Sequence, residues 1–172
     1  MQIKRIEELV AWQLAKRLER RVFAFTDKPR VARDFEFCKQ IRRSSSSAPG
    51  NMAEGFGRFW PGEFAHKLRI AIGELHETQD RLETALENKY ITDAAHLEMF
   101  DIADRSIGAA VKFAEYLDAA GPDWKKDYLA RRREKYRAER RLKKASPSSD
   151  GGTENPNGNG EPQNQNPNKN QT

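Results

Sequence analysis

Gln40-Ile41-Arg42-Arg43-Ser44-Ser45-Ser46-Ser47-Ala48-Pro49-Gly50-Asn51-Met52-Ala53-Glu54-Gly55-Phe56-Gly57-Arg58 is the stretch that decides the fold of this 172-residue chain. Ile41, Ala48, Met52 and Phe56, with Phe37 ahead of them, keep roughly helical spacing. The segment also carries paired arginines, a proline in mid-helix and two closing glycines. Proline removes a backbone hydrogen bond and clashes with the preceding turn, so a kink is expected at Pro49. Gly55 and Gly57 are expected to stop the helix, which runs from about Val31 to Phe56.

Outward from that helix the pattern stays helical. Helix one is expected from about Ile6 to Phe25. Ile6, Val10, Leu14, Leu18 and Val22 repeat every four residues, and Leu9, Trp12 and Phe23 widen the stripe. A surface that broad suits both a core and a neighbouring subunit. Helix three starts near Pro61, where a missing N–H costs nothing. Phe64, Leu68, Ala71, Ile72, Leu75, Leu82 and Leu86 form its seam. Thr92 is the expected N-cap of helix four, whose pattern runs from Leu97 through Leu117 to Gly121-Pro122. Strand-like alternation is absent from the sequence. Short connections between long helices imply an all-α, up-down-up-down four-helix bundle over residues 1–121.

Four blocks in order resemble the family of small bacterial four-helix proteins encoded in intervening sequences of 23S ribosomal RNA genes. They are Leu9-Val10-Ala11-Trp12-Gln13; Gln40-Ile41-Arg42-Arg43 with Asn51-Met52-Ala53-Glu54-Gly55-Phe56-Gly57-Arg58; Glu63-Phe64, Ala71-Ile72-Gly73 and Glu77-Thr78-Gln79; and Lys89-Tyr90-Ile91. The accessory proteins of diversity-generating retroelements share that fold. The chain departs from the family pattern in two places. Ser44–Ser47 and Ala48 stand where alanine, valine and isoleucine are usual, and Phe59-Trp60-Pro61 replaces a polar linker. The resemblance implies a homopentamer. It also implies a role with RNA or an RNA–protein complex, with a reverse transcriptase as partner in the retroelement version.

Two segments beyond the match differ in composition. Residues 122–145 read as a basic helical extension, and residues 146–172, rich in Asn, Pro, Gly, Gln and Ser, read as a disordered tail. Residues 1–122 hold 19 Lys and Arg against 19 Asp and Glu. Residues 123–145 hold 11 against 4, and the rest of the chain is slightly acidic, so the whole carries +5. Mean hydropathy is −0.93. No run approaches the ~20 apolar residues that cross a bilayer. Cys38 is the only cysteine, which excludes an internal disulfide and a CxxC metal site. A cytoplasmic protein without a membrane role is the expectation.

Catalytic chemistry finds little footing. Di-metal bundles use inward Glu-x-x-His pairs. Glu63-x-x-His66 imitates one, and Asp93-x-x-His96 is a poorer copy. His66 is two residues from both Phe64 and Leu68, about 200° around the helix, so it faces outward. Gly55-x-Gly57 follows a helix and is no nucleotide-binding turn. No enzyme, cofactor or metal is expected. Gln79, between Leu75 and Leu82, reads as an interhelical hydrogen bond, and Asn51 and Glu54 as partners for backbone groups freed at Pro49.

The candidate sites are all for nucleic acid. Arg42 and Arg43 point about 100° apart. Either one pairs with a neighbouring carboxylate while the other is solvated, or they contact phosphate with Lys39 and Arg58. The extension offers Arg131, Arg132, Arg133, Arg137, Arg140, Arg141, Lys143 and Lys144, with Tyr128 and Tyr136 for base stacking. Such cations bind RNA or DNA through phosphates without sequence choice. The reading is therefore a non-enzymatic, oligomeric nucleic-acid-binding scaffold. Its competitor is a protein-interaction bundle whose basic helix is only solvated surface, which the neutral charge of residues 1–122 favours.

Overall fold

A computed structural model describes residues 3–58 and 60–120, together with Arg137, Arg140 and Arg141. The chain divides into two units, Met1–Glu134 and Lys135–Thr172. In the first, a 3-10 turn at Ile6–Glu8 precedes α1 (Val10–Thr26), α2 (Phe35–Gly57), α3 (Pro61–Glu87) and α4 (Asp93–Asp118). The described residues contain no strand. α1 packs on α2, α2 on α3, α3 on α4, and α4 back on α1. Cross-helix partners run in opposite directions along the chain. Ser44 meets Thr78 while Asn51 meets Lys67, and Ser106 meets Ala11 while Glu98 meets Arg21. That is an up-down-up-down, all-α four-helix bundle.

Helix ends follow local chemistry. The Asp34 side chain accepts from the Phe37 N–H at 3.1 Å and caps α2. The Thr92 hydroxyl accepts from the Ala95 N–H and caps α4, as its sequence position predicts. Pro61 is the first residue of α3. The N-terminal expectations for α1 and α2 shift. Leu9 is extended, with ψ 113°, so α1 begins at Val10. Residues 28–34 form hydrogen-bonded turns, and the apolar Val31 is buried there as a loop plug ahead of α2.

The core face of α1 is also rotated from the expected one. Ala11, Ala15, Leu18, Val22 and Phe25 are buried, whereas Val10 is 56% exposed and Leu14 only half-buried. A strict four-residue repeat drifts about 40° per step on a 3.6-residue helix, so Ile6 through Val22 cannot share one face.

Small residues let the helices approach. Ser44, Ser45 and Ala48 of α2 are buried, and Thr78 Oγ1 donates to Ser44 Oγ across the α2–α3 seam at 3.0 Å. Ser106 Oγ of α4 donates to the Ala11 carbonyl at 2.8 Å. The serine-rich centre thus serves close packing with its hydroxyls satisfied. Gly55 has a packing role rather than a stop: a Cβ there would lie 2.6 Å from Phe64 Cδ2 and 2.8 Å from Lys67 Cβ. α2 continues through the buried Pro49 and Gly55 and ends at Gly57. Gln79 Nε2 donates to Asp104 Oδ1 at 2.7 Å, the interhelical bond its position predicts.

Candidate nucleic-acid interface

Arg42 sits half-buried on α2 and is held by three contacts with the end of α1. Its Nε donates to Thr26 Oγ1 and its Nη2 to Asp27 Oδ1, both at 2.7 Å, and its guanidinium lies 5.1 Å from the Phe23 ring centroid. It ties the end of α1 to α2. Arg43, one residue on, is exposed and makes no ion pair among the described residues, as does Lys39, four residues earlier on the same face. Arg58, the C-cap of α2, pairs with Glu54 and lies 4.0 Å from Glu63. Glu54 also takes Lys67 Nζ at 2.7 Å, and its hydrogen bonds to Lys67 and Arg58 hold its carboxyl below the usual value. So Glu54 serves this ion network, while Asn51 donates to the Ser47 carbonyl at 3.0 Å. Arg58 is fifteen residues from Arg43, about 22 Å along a helix, so the two do not form one site.

Arg137, Arg140 and Arg141 of the second unit are helical and exposed. Their three- and four-residue spacings put them on one helical face. Arg131, Arg132, Arg133, Lys143 and Lys144, with Tyr128, Tyr136 and the 146–172 segment, lie outside the described residues.

The metal-like pairs dissolve in the structure. His66 is exposed and His96 is buried, with Nε2 at 3.1 Å from Glu83 Oε1 but without good hydrogen-bond geometry. Among the described residues no group of three or more His, Cys, Asp or Glu is placed to hold a metal ion, and no helix is long and apolar enough to cross a membrane.

Sequence reasoning missed the charge pattern inside the bundle. Residues 1–43 hold 12 Lys and Arg against 6 Asp and Glu, and residues 44–120 hold 7 against 13. The balance of the whole hides a positive and a negative half, which a running sum of charge would have revealed. Ion pairing sharpens this. Arg20, Lys28, Arg30, Arg33, Lys39, Arg43 and Lys89 make no ion pair among the described residues. All seven lie toward the end of the bundle where α1 ends, α2 begins and α3 joins α4. At that end Asp27 is taken by Arg42, Asp34 by the Phe37 N–H and the Tyr90 hydroxyl, and Glu98 by Arg17 and Arg21. Asp34, Glu36, Glu83, Glu87 and Asp93 have no Lys or Arg partner there among the described residues. Phe35 stands 79% exposed amid these cations, between Arg33 and Lys39 in the chain.

No curated protein matches this chain. The family model described as 23S rRNA-intervening sequence protein matches residues 7–109, well over half the chain, and every helix of the bundle falls within or across that match. With its four antiparallel helices, the chain belongs to the 23S rRNA-intervening sequence protein family.

Proposed function

We propose that the protein is a non-enzymatic, oligomeric scaffold that binds RNA, or an RNA–protein complex, through phosphates and unpaired bases. The observation that carries the reading is the gathering of unpaired cations, seven against five carboxylates without a Lys or Arg partner, at one end of the bundle around exposed Phe35. Cations that already have protein partners gain little from phosphate. Free ones release counterions when they bind, and an exposed aromatic face stacks on a base without sequence choice. Arg43 and Lys39 contact phosphate in this reading, and Arg42 holds the surface in shape. Arg137, Arg140 and Arg141 supply a further phosphate-binding face on the second unit, and Arg131, Arg132, Arg133, Lys143 and Lys144 contact phosphate as well in this reading.

Self-association completes the proposal. Val10 on α1 and Leu97 and Val111 on α4 are exposed on two helices that pack together. Pairing of this apolar face between copies, a pentamer by resemblance, multiplies the cationic ends and raises avidity. In the retroelement version of this reading the complex that receives the scaffold contains a reverse transcriptase.

The test is gel-shift binding of full-length protein to unrelated single-stranded RNA and duplexes across a salt series. Micromolar binding that weakens steeply with salt is expected, with single strands preferred. Absence of binding at low salt, with the oligomer intact by light scattering, overturns the reading in favour of a protein partner.

A further inference from the structure

A cleft of about 320 Å³ opens at the cationic end of the bundle. Arg21 of α1, Lys28 of the α1–α2 loop and Lys89 of the α3–α4 loop line it, together with Phe25, Tyr90 and Met99. Phe25 and Met99 are buried and Tyr90 is half-buried, so the apolar lining is set into the bundle while lysines stand at the rim. None of the lining residues carries a carboxylate. We infer that this cleft binds a phosphorylated aromatic ligand of mononucleotide size, with its phosphate against Lys28 and Lys89 and its base on Tyr90.

Each part of that ligand answers an observation. The volume lies at the small end of ligand sites, which are mostly apolar with a few converging polar groups. A purely apolar guest gives three cations no role, and a bare phosphate gives the aromatic lining none. Arg21 is held by Glu98, so its charge is partly spent in fixing one wall. Lys28 and Lys89 make no ion pair among the described residues, so neither is occupied by a carboxylate. Tyr90 is braced for stacking: its hydroxyl donates to Asp34 Oδ2 at 2.8 Å and its ring lies 5.2 Å from that of Phe37.

Lys89 adds a separate indication. α3 ends with the Lys89 N–H on the Leu86 carbonyl and the Tyr90 N–H on the Ala85 carbonyl, the paired bonds of a Schellman cap. Lys89 therefore takes φ 55°, a position that glycine fills without strain. A lysine there is a worse helix stop that puts a cation at the rim.

The inference goes beyond RNA binding, because a free mononucleotide suffices. The ligand chemistry has two sources, a free nucleotide or an unpaired nucleotide of a strand. The experiment is calorimetric titration of the full-length protein at low salt with AMP, adenosine and inorganic phosphate, followed by competition with a single-stranded RNA octamer. AMP is expected to bind roughly tenfold or more tightly than adenosine or phosphate alone. Ala24, an exposed residue in the cleft wall, gives the blocking variant Ala24→Phe, which is expected to abolish AMP binding. Lys89→Gly is expected to weaken it several-fold without lowering the unfolding midpoint. Displacement of AMP by the octamer identifies the strand as the source, and undisturbed AMP identifies the free nucleotide. Absence of AMP binding at millimolar concentration, or binding unchanged in Ala24→Phe, overturns the inference. RNA binding that persists in that case leaves the cationic-end reading standing; AMP binding without RNA binding overturns that reading alone.

Discussion

Gly55 is the residue whose replacement tests the packing most directly. Its hydrogen faces Phe64 and Lys67 of α3 across a gap that has no room for a methyl group. Ala is otherwise the better helix former, so an exposed Gly→Ala change in a helix stabilises. Gly55→Ala is expected to do the reverse, lowering stability by about 1–3 kcal/mol in a urea melt, because overpacking forces the seam apart. Gly50, exposed on the same helix with nothing near its position, is the control that should not lose stability. Tyr90 gives a pH test. Its hydrogen bond to Asp34, then partial burial, push its phenol above the ordinary 10.0. The fold therefore keeps a proton that the unfolded chain releases. The bond's contribution is whole below pH about 10 and is lost as pH climbs through the raised value. Thermal midpoints measured from about pH 8 to 11 should fall more steeply for the native chain than for Tyr90→Phe.

At the scale of elements, α2 and α3 meet through small side chains, and their tolerance should depend on size more than on polarity. Thr78 has a second acceptor in the Glu74 carbonyl at 2.8 Å, so Ser44→Ala strands no donor. It should cost only about 0.5–1.5 kcal/mol. Ser44→Val inserts volume at a residue 1% exposed and should cost more, about 1–3 kcal/mol. Chemical denaturation of the pair checks the order. The C-terminal stop of α3 makes a second prediction: Lys89→Gly should gain up to about 1 kcal/mol by removing left-handed strain, offset in part by the greater chain entropy of glycine. The same elements show what sequence carries. The α3 seam and the Thr92 cap were legible because Leu68, Leu75 and Leu82 keep true helical period and threonine's hydroxyl is a local signal. The start of α1 was not, because a four-residue repeat imitates a helix face that the backbone then rotates away from. Asp34 as a cap was hidden by the apolar Val31 ahead of it, and the left-handed Lys89 by the absence of a glycine. The cleft was illegible for a plainer reason: Arg21, Lys28 and Lys89 come from three elements, and only the antiparallel topology brings them together.

For the whole molecule, the proposed RNA binding has two candidate cationic surfaces. The bundle presents Lys39 and Arg43 beside exposed Phe35, and the second unit presents Arg137, Arg140 and Arg141. Overall charge cannot separate them, but salt dependence can, since each phosphate contact on a single strand contributes about 0.7 to the slope of log K against log salt. Replacing Lys39 and Arg43 by Gln removes two contacts and should reduce that slope by about 1.4, provided the bundle end binds. Replacing Arg137, Arg140 and Arg141 by Gln should reduce it by up to about 2 if the second unit binds as well. Phe35→Ala removes no charge, so its expected signature differs: affinity falls, by about 1–3 kcal/mol for a stacked base, while the slope stays constant. All six side chains are exposed, so circular dichroism and the melting midpoint should hold in every variant. A slope unchanged by the Lys39 and Arg43 replacements would remove the bundle end from the interface. A slope unchanged in all variants would mean that neither surface touches phosphate, and that the polar charge of the bundle orients a protein partner instead.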